Sequence, residues 1–252
     1  MAVGELNKPV RASCCSILFA VLLAIASAVH AERLPIKVYT TADGLWSSSV
    51  DNLIRDSHGL MWFCTRDGVS SFDGYRFVNY RVDTGSSYPH CMIETRRGIY
   101  WIALNGGGLY RYDRNTMASK SEPQQTHNSG DDPRQTLNAA MVSPEMFQTL
   151  FEDREGRLWA GGTGLFLVEE NNGQVVVRNV DLNLPEELQR EFWIYAIGDG
   201  LDGSLWLGTS RGLLRRLPDG RVASLAVRRE ARLDTIHALM VDREGRIWFA
   251  HG

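Results

Sequence analysis

The chain has 252 residues, of which 44% are hydrophobic and 23% charged, with a formal net charge of −3. That balance is ordinary for a globular protein and gives enough length for one large domain or two small ones. No basic stripe accompanies it, which argues against nucleic acid as a partner.

The amino terminus stands apart. Lys8 and Arg11 precede an apolar run from Ser16 to Val29, and Val29-His30-Ala31 ends it with short residues. A charged start, a short apolar middle and a small-residue end make a secretory signal peptide over residues 1–31, cut before Glu32 or earlier, after Ala28. The rival reading is an uncleaved anchor, because no charge falls between Arg11 and Glu32, a stretch just long enough to span a bilayer. Either way the remainder is expected outside the cytoplasm, in the periplasm. No second long apolar run follows. Cys64 and Cys91 remain, and two cysteines do not make a disulfide framework; whether they pair is left open.

From residue 41 onward the chain repeats. Trp62, Trp101, Trp159, Trp206 and Trp248 each have Gly three residues earlier. An acid opens the turn before them: Asp56, Glu94, Asp153, Asp199 and Asp242. The heptapeptides DREGRLW (153–159) and DREGRIW (242–248) are nearly identical. A period near 40–45 residues with Gly and Trp in register predicts a β-propeller. Each unit reads as four short strands. In the first unit these are VDNLIRD, LMWFCT, VSSF and YRFVNYRV. Asp73-Gly74, Asn172-Gly173 and Asp219-Gly220 are hairpin signals between third and fourth strands. MASKSE (117–122) is the expected fourth strand of the second unit, and IKVYT (36–40) looks like an outermost strand ahead of the first. Repeats are placed around 41–82, 90–120, 144–181, 193–228 and 235–252, with a polar insert at 119–146. Two residues beyond each Trp sit Cys64, Ala103, Gly161, Gly208 and Ala250, small residues that leave room beside the indole. The fifth unit reaches Gly252 with two strands, so an incomplete ring, truncated at the carboxyl end, is expected.

Binding is expected at the end of the propeller where linking loops 41–49, 82–90, 119–146, 181–192 and 228–235 gather. Candidate ligand-binding residues are Trp46, Tyr88 and Trp193, whose rings can stack on a ligand. Trp193 is also aligned with the core slot of Val50, Phe147 and Ile236. His90 and His237 join the candidates near the starts of innermost strands, close to a central channel. No catalytic residue, cofactor or metal site is expected. The chain has no phosphate-binding Gly loop, no His-Glu-x-x-His and no elbow Ser.

The repeats, DREGRLWAGGTGL and GSLWLGTSRGLLR above all, resemble the two-component regulator propeller family of bacterial sensors. YTTADGLWSSSVDNLIRDSHGLMWFCTRDGVSSFDGYRFVNY resembles that family's first unit. The resemblance covers about 36–252, except the insert. It implies an exported sensing region of a histidine kinase or diguanylate cyclase, linked in such proteins by a later membrane helix to an output module. It transfers no catalytic residues. The expected ligand is a small molecule or glycan, with another propeller or a self-partner as further possibilities. Membrane contact would come only through a downstream segment or an uncleaved leader. Streptogramin lyases have similar repeats, so an enzyme of that type is the alternative, and a protein-binding scaffold is a third reading. The sialidase Asp box does not fit, because Arg154 and Arg243 stand where its Asp belongs.

Overall fold

Short apolar segments broken by Gly turns become five sheets in succession, antiparallel except for one parallel strand at the edge of the first. The computed structural model describes residues 36–82, 88–113, 135–137, 139–171, 173–186, 191–224 and 235–251. Tyr39–Gly252 form one compact unit. Of the remainder, Ile36–Val38 are described, and they are exposed. The leader, MASKSE and much of the insert lie outside the described residues.

The first sheet runs β1 (Val50–Arg55), β2 (Met61–Thr65), β3 (Gly68–Phe72), β4 (Phe77–Val82). The second begins with β5 (Tyr88–Glu94), β6 (Ile99–Asn105) and β7 (Leu109–Asp113). The strand expected at 117–122 lies outside the described residues. The chain first forms β8 (Gln135–Leu137), which pairs parallel to β4, and then β9 (Ala140–Ser143), which pairs with β7. Strands β8 and β9 thus fall within the stretch 119–146 that the sequence reads as a polar insert. Leu137 is buried with Val82 and Met92 between the first two sheets, which is the apolar reason this segment returns. The third sheet is β10 (Phe147–Glu152), β11 (Leu158–Gly162), β12 (Leu165–Asn171) and β13 (Gln174–Val180). The fourth is β14 (Ile194–Asp199), β15 (Leu205–Thr209), β16 (Gly212–Arg216) and β17 (Val222–Ser224). The fifth has β18 (Ile236–Val241) and β19 (Ile247–His251). Ile36–Thr40 form no strand.

The innermost strands β1, β5, β10, β14 and β18 neighbour one another in order, so the sheets fan about an axis as propeller blades. Apolar cores lie between successive sheets. Trp62 and Ile102 are in the first, Trp101 and Phe166 in the second, Trp159 and Leu207 in the third, and Trp206 and Ile236 in the fourth. Each fully buried large side chain contributes about 1.5–3 kcal/mol. Both faces of each middle sheet are covered, which explains why β11 and β15 are buried throughout.

The small slot after each Trp has a different cause from the one its sequence position suggests. A Cβ on Gly161 would lie 2.7 Å from Ile194 Cγ2, and one on Gly208 would lie 2.7 Å from Ile236 Cγ2. The space is taken by the next blade's innermost strand, which can then approach closely.

The turns are closed by the same contacts in every blade. Gly59, Gly98, Gly156, Gly203 and Gly245 all have φ between 73° and 88°, a region where a side chain is strained. Their N–H groups donate to the carbonyl three residues back, at 2.8–3.1 Å. In three blades the Asp carboxylate also accepts from the Trp indole: Asp56 from Trp62 at 2.8 Å, Asp153 from Trp159 at 2.7 Å and Asp242 from Trp248 at 2.9 Å. Asp56 additionally accepts from Tyr100 of the next blade at 2.9 Å. Its burial opposes ionisation, but the bonds from Trp62, Tyr100 and the backbone of Leu60 and His58 outweigh it and hold the carboxyl below its ordinary value.

Glu94 and Asp199 do not do this work. Thr95 and Gly200 stand six residues before their Trp instead. Beside Thr95 a cavity of about 280 Å³ opens, lined among others by Arg97, Trp101, Glu152 and Glu170. The two acids form latches between blades. Glu94 accepts from the Ser57 backbone N–H at 2.6 Å and from its hydroxyl at 2.7 Å. Glu152, one residue ahead of the turn Asp, accepts from Arg96 N–H at 2.9 Å. Asp199 accepts from Arg154 N–H at 2.8 Å. Each time a later blade's carboxylate satisfies an earlier blade's turn.

Candidate functional site

Each innermost strand carries one irregularity, and all five fall at the same place. The register of β1 against β2 skips Asp51, and the equivalent skips fall at His90, Gln148, Tyr195 and His237. All five residues stand eleven positions before their blade's Trp. A β-bulge leaves its extra residue out of the ladder and re-aims its side chain, and such features recur beside functional sites. They sit at the linking-loop end of the strands, opposite the Asp-Gly turns.

These side chains meet across blades. His90 Nδ1 lies 3.4 Å from Asp51 Oδ2, with the two side chains 27% and 21% exposed. The rings of Tyr195 and His237 are 5.0 Å apart between centroids at 50°. Gln148 is half-buried between these pairs in strand order. The set offers hydrogen-bond donors and acceptors together with aromatic faces, and is suited to a polar ligand with a flat or apolar side. Among the described residues, no group of three or more His, Cys, Asp or Glu side chains is arranged to hold a metal.

The other sequence candidates have different surroundings. Trp46 is half-buried, its N–H donates to Ser70 Oγ at 3.3 Å, and its ring lies over Gly68, where a Cβ would collide with it. Tyr88 accepts from Asn105 Nδ2 at 2.6 Å. Trp193 exchanges backbone hydrogen bonds with Ser210, donating to its Oγ at 3.0 Å and accepting from its N–H at 2.9 Å. It is not in the slot of Val50, Phe147 and Ile236; Ile194 is, paired with Thr209 as Phe147 is with Gly162. The structure thus brings His90 together with Asp51, and His237 together with Tyr195. Asp51, Gln148 and Tyr195 escaped the sequence reading, although counting back from Trp would have found them.

A second concavity of about 230 Å³ lies at the same end, bounded by Thr163, Asn179, Asp181, Leu182 and Phe192. The loop forming it holds Asn183 and Glu191, the non-Gly residues at positive φ (47° and 53°) among those described. The two cysteines neighbour the bulges, Cys91 directly after His90 and Cys64 close enough to feel the charge of Asp51. Both are buried and free. Burial pushes the Cys91 thiol up to about 11 and raises Cys64 well above its ordinary value, so both are unreactive thiols.

No family model matches the sequence. A curated relative, Histidine kinase P4 of Formosa agariphila, is 38% identical over 66 residues, which are 26% of this chain and 5% of that protein. Among solved structures, the extracellular domain of a hybrid two component system of B. thetaiotaomicron, BT3049, superposes with a TM-score of 0.63 at 18% identity. It covers 82% of this chain, which spans 26% of that one. Virginiamycin B lyase from Staphylococcus aureus superposes with a TM-score of 0.56 at 15% identity, covering 79% of this chain and 62% of that one. The chain is an all-β propeller. The resemblance of its repeats to two-component sensor propellers is borne out by the kinase segment and the extracellular domain. No helix among the described residues is long and apolar enough to cross a membrane.

Proposed function

We propose that this chain is the exported ligand-sensing propeller of a bacterial signal-transduction protein, a two-component sensor kinase or diguanylate cyclase, working in the periplasm. The observation that carries the reading is the row of bulges. Five blades repeat one scaffold, yet place four different types of side chain at one register position: Asp51, His90, Gln148, Tyr195 and His237. A purely structural repeat has no need of that variety at a position outside the ladder. Residues 1–31 supply the export signal, and the ligand is a small molecule or glycan held by the Tyr195–His237 rings and the Asp51–His90 pair. Thermal-shift titration with a panel of neutral oligosaccharides and small polar metabolites tests it, comparing wild type with Tyr195→Ala and His237→Ala. A shift lost in both variants supports the site. A shift retained in both moves binding elsewhere. A reporter fused after residue 40, active only outside the cytoplasm, tests export.

The Asp51–His90 pair favours one second reading, an enzyme of the streptogramin-lyase type in which an acid-oriented imidazole moves a proton. Incubation with a streptogramin B lactone decides between them, because a sensor leaves it intact.

A further inference from the structure

Three turns set an Asp carboxylate against the Trp indole. The fourth and second blades lack that acid and differ in what replaces it. In the fourth, Gly200 stands in its place. A Cβ there would collide with Ser204 Oγ and lie 2.8 Å from Asp202 Oδ1. Arg215, the cross-strand partner of Trp206, donates from Nε to Ser204 Oγ at 3.0 Å and pairs with Asp202. Its guanidinium lies over the Trp206 ring, 5.0 Å from the centroid. The Trp206 indole N–H has no hydrogen bond among the described residues, but the space is filled and the arginine is satisfied.

The second blade has no such replacement. Thr95 stands in the acid's place and its hydroxyl donates to the Ile99 carbonyl at 3.1 Å. Arg97 and Ile99 occupy the positions of Asp202 and Ser204. What remains is the cavity of about 280 Å³ bounded by the second and third sheets. Trp101, 3% exposed, lines it, and its indole N–H has no hydrogen bond among the described residues. Arg111 is the cross-strand partner of Trp101 and reaches Glu170 on the cavity wall at 3.3 Å. Unlike Arg215, it has a buried Nε without an acceptor. Native structures seldom leave such groups unmet. The charges on the wall are already matched: Glu152 accepts from the Arg96 N–H, Glu169 meets Arg178, Glu170 meets Arg97 and Arg111, and Arg157 meets Asp153. The missing group is an acceptor, at the place where three sister turns put a carboxylate.

We propose that the cavity beside Thr95 is a second binding site, which takes the carboxylate of a small organic acid. The ligand's oxygens accept from Trp101 Nε1 and Arg111 Nε and stand where an aspartate stands in the first, third and fifth turns. The site lies at the turn end of the strands, so it is separate from the bulges and independent of what they bind. A bound acid bridges the second and third sheets and stabilises their junction by mass action.

Acetate, the smallest probe with that group, and acetamide, its neutral isostere, test the site at constant ionic strength in the full chain with 15N-labelled tryptophan. The indole cross-peak lost in Trp101→Phe is that of Trp101. Acetate is expected to shift this peak saturably, with half-saturation near about 10 mM, and acetamide to bind at least about tenfold more weakly. Thr95→Asp supplies the carboxylate from the chain itself. Its Trp101 peak starts where acetate drives that of wild type, and acetate no longer moves it. Arg111→Gln, which removes the second donor and leaves the indole, weakens acetate binding about tenfold. Circular dichroism checks that both variants fold. A Trp101 peak that acetate leaves in place, acetamide binding as tightly as acetate, a response that survives Thr95→Asp, or one undiminished in Arg111→Gln would each overturn the proposal.

Discussion

The two ends of the innermost strands obey opposite rules. At one end, five turns use the same Gly conformation and the same backbone hydrogen bond, and three of them bind the indole through the same Asp. At the other end, five bulges share a backbone irregularity and no two adjacent blades share a side chain. The first end is constrained because its turns need glycine at positive φ and because the Trp62 and Trp159 indole N–H groups are buried and must be satisfied. The second lies outside the ladder, so its side chains are free to be chosen for something other than folding.

Substitutions at the two ends sharpen that contrast. The largest effect is expected at Asp56. Asp56→Ala orphans the Trp62 indole, the Tyr100 hydroxyl and the Leu60 and His58 N–H groups, and should cost about 3–5 kcal/mol in urea unfolding. Gly208→Val comes next. It forces the side chain of Ile236 away from a 2.7 Å contact and should cost about 1–3 kcal/mol. Glu152→Ala breaks one latch and should cost about 1 kcal/mol, seen as faster hydrogen exchange at Arg96. Tyr195→Ala and His237→Ala, at the bulges, should each change stability by less than about 1 kcal/mol while altering ligand binding. A bulge variant as damaging as Asp56→Ala would abolish the contrast.

Acid adds a finer distinction. The folded state holds Asp56 below the ordinary carboxylate value of 3.8. Its ionisation therefore contributes stability above that value, and the contribution is lost as pH falls through the lower folded value. Asp199 is raised above 3.8, chiefly by burial, so its ionisation works against folding as pH rises through its folded value. The gap in stability between wild type and Asp56→Ala should therefore shrink below about pH 4, as measured by urea unfolding at successive pH values.

The blade count, strand order and turn chemistry were legible because Trp, Gly and Asp repeat in register and each has a fixed physical task. In the second blade, where the repeat is interrupted, β7 pairs with AMVS. Nothing local distinguishes MASKSE from AMVS as its fourth strand, and the return of the chain is decided by the burial of Leu137 between two sheets. Glu94 and Asp199 look like turn acids in sequence. Their latch role depends on a neighbouring blade and is visible only in three dimensions. His90 and His237 were legible from proximity to strand starts. Asp51, Gln148 and Tyr195 share with them only the spacing of eleven residues before the Trp; no residue type marks the bulge, so the spacing alone could have found them.

The direction of the latches has a consequence for how the chain is made. Ser57, Arg96 and Arg154 receive their carboxylates from residues 37, 56 and 45 positions later. The turns of the first three blades therefore keep these N–H groups on water until the next blade supplies its carboxylate. At these three junctions the later blade completes the one before it through a modest loop closure.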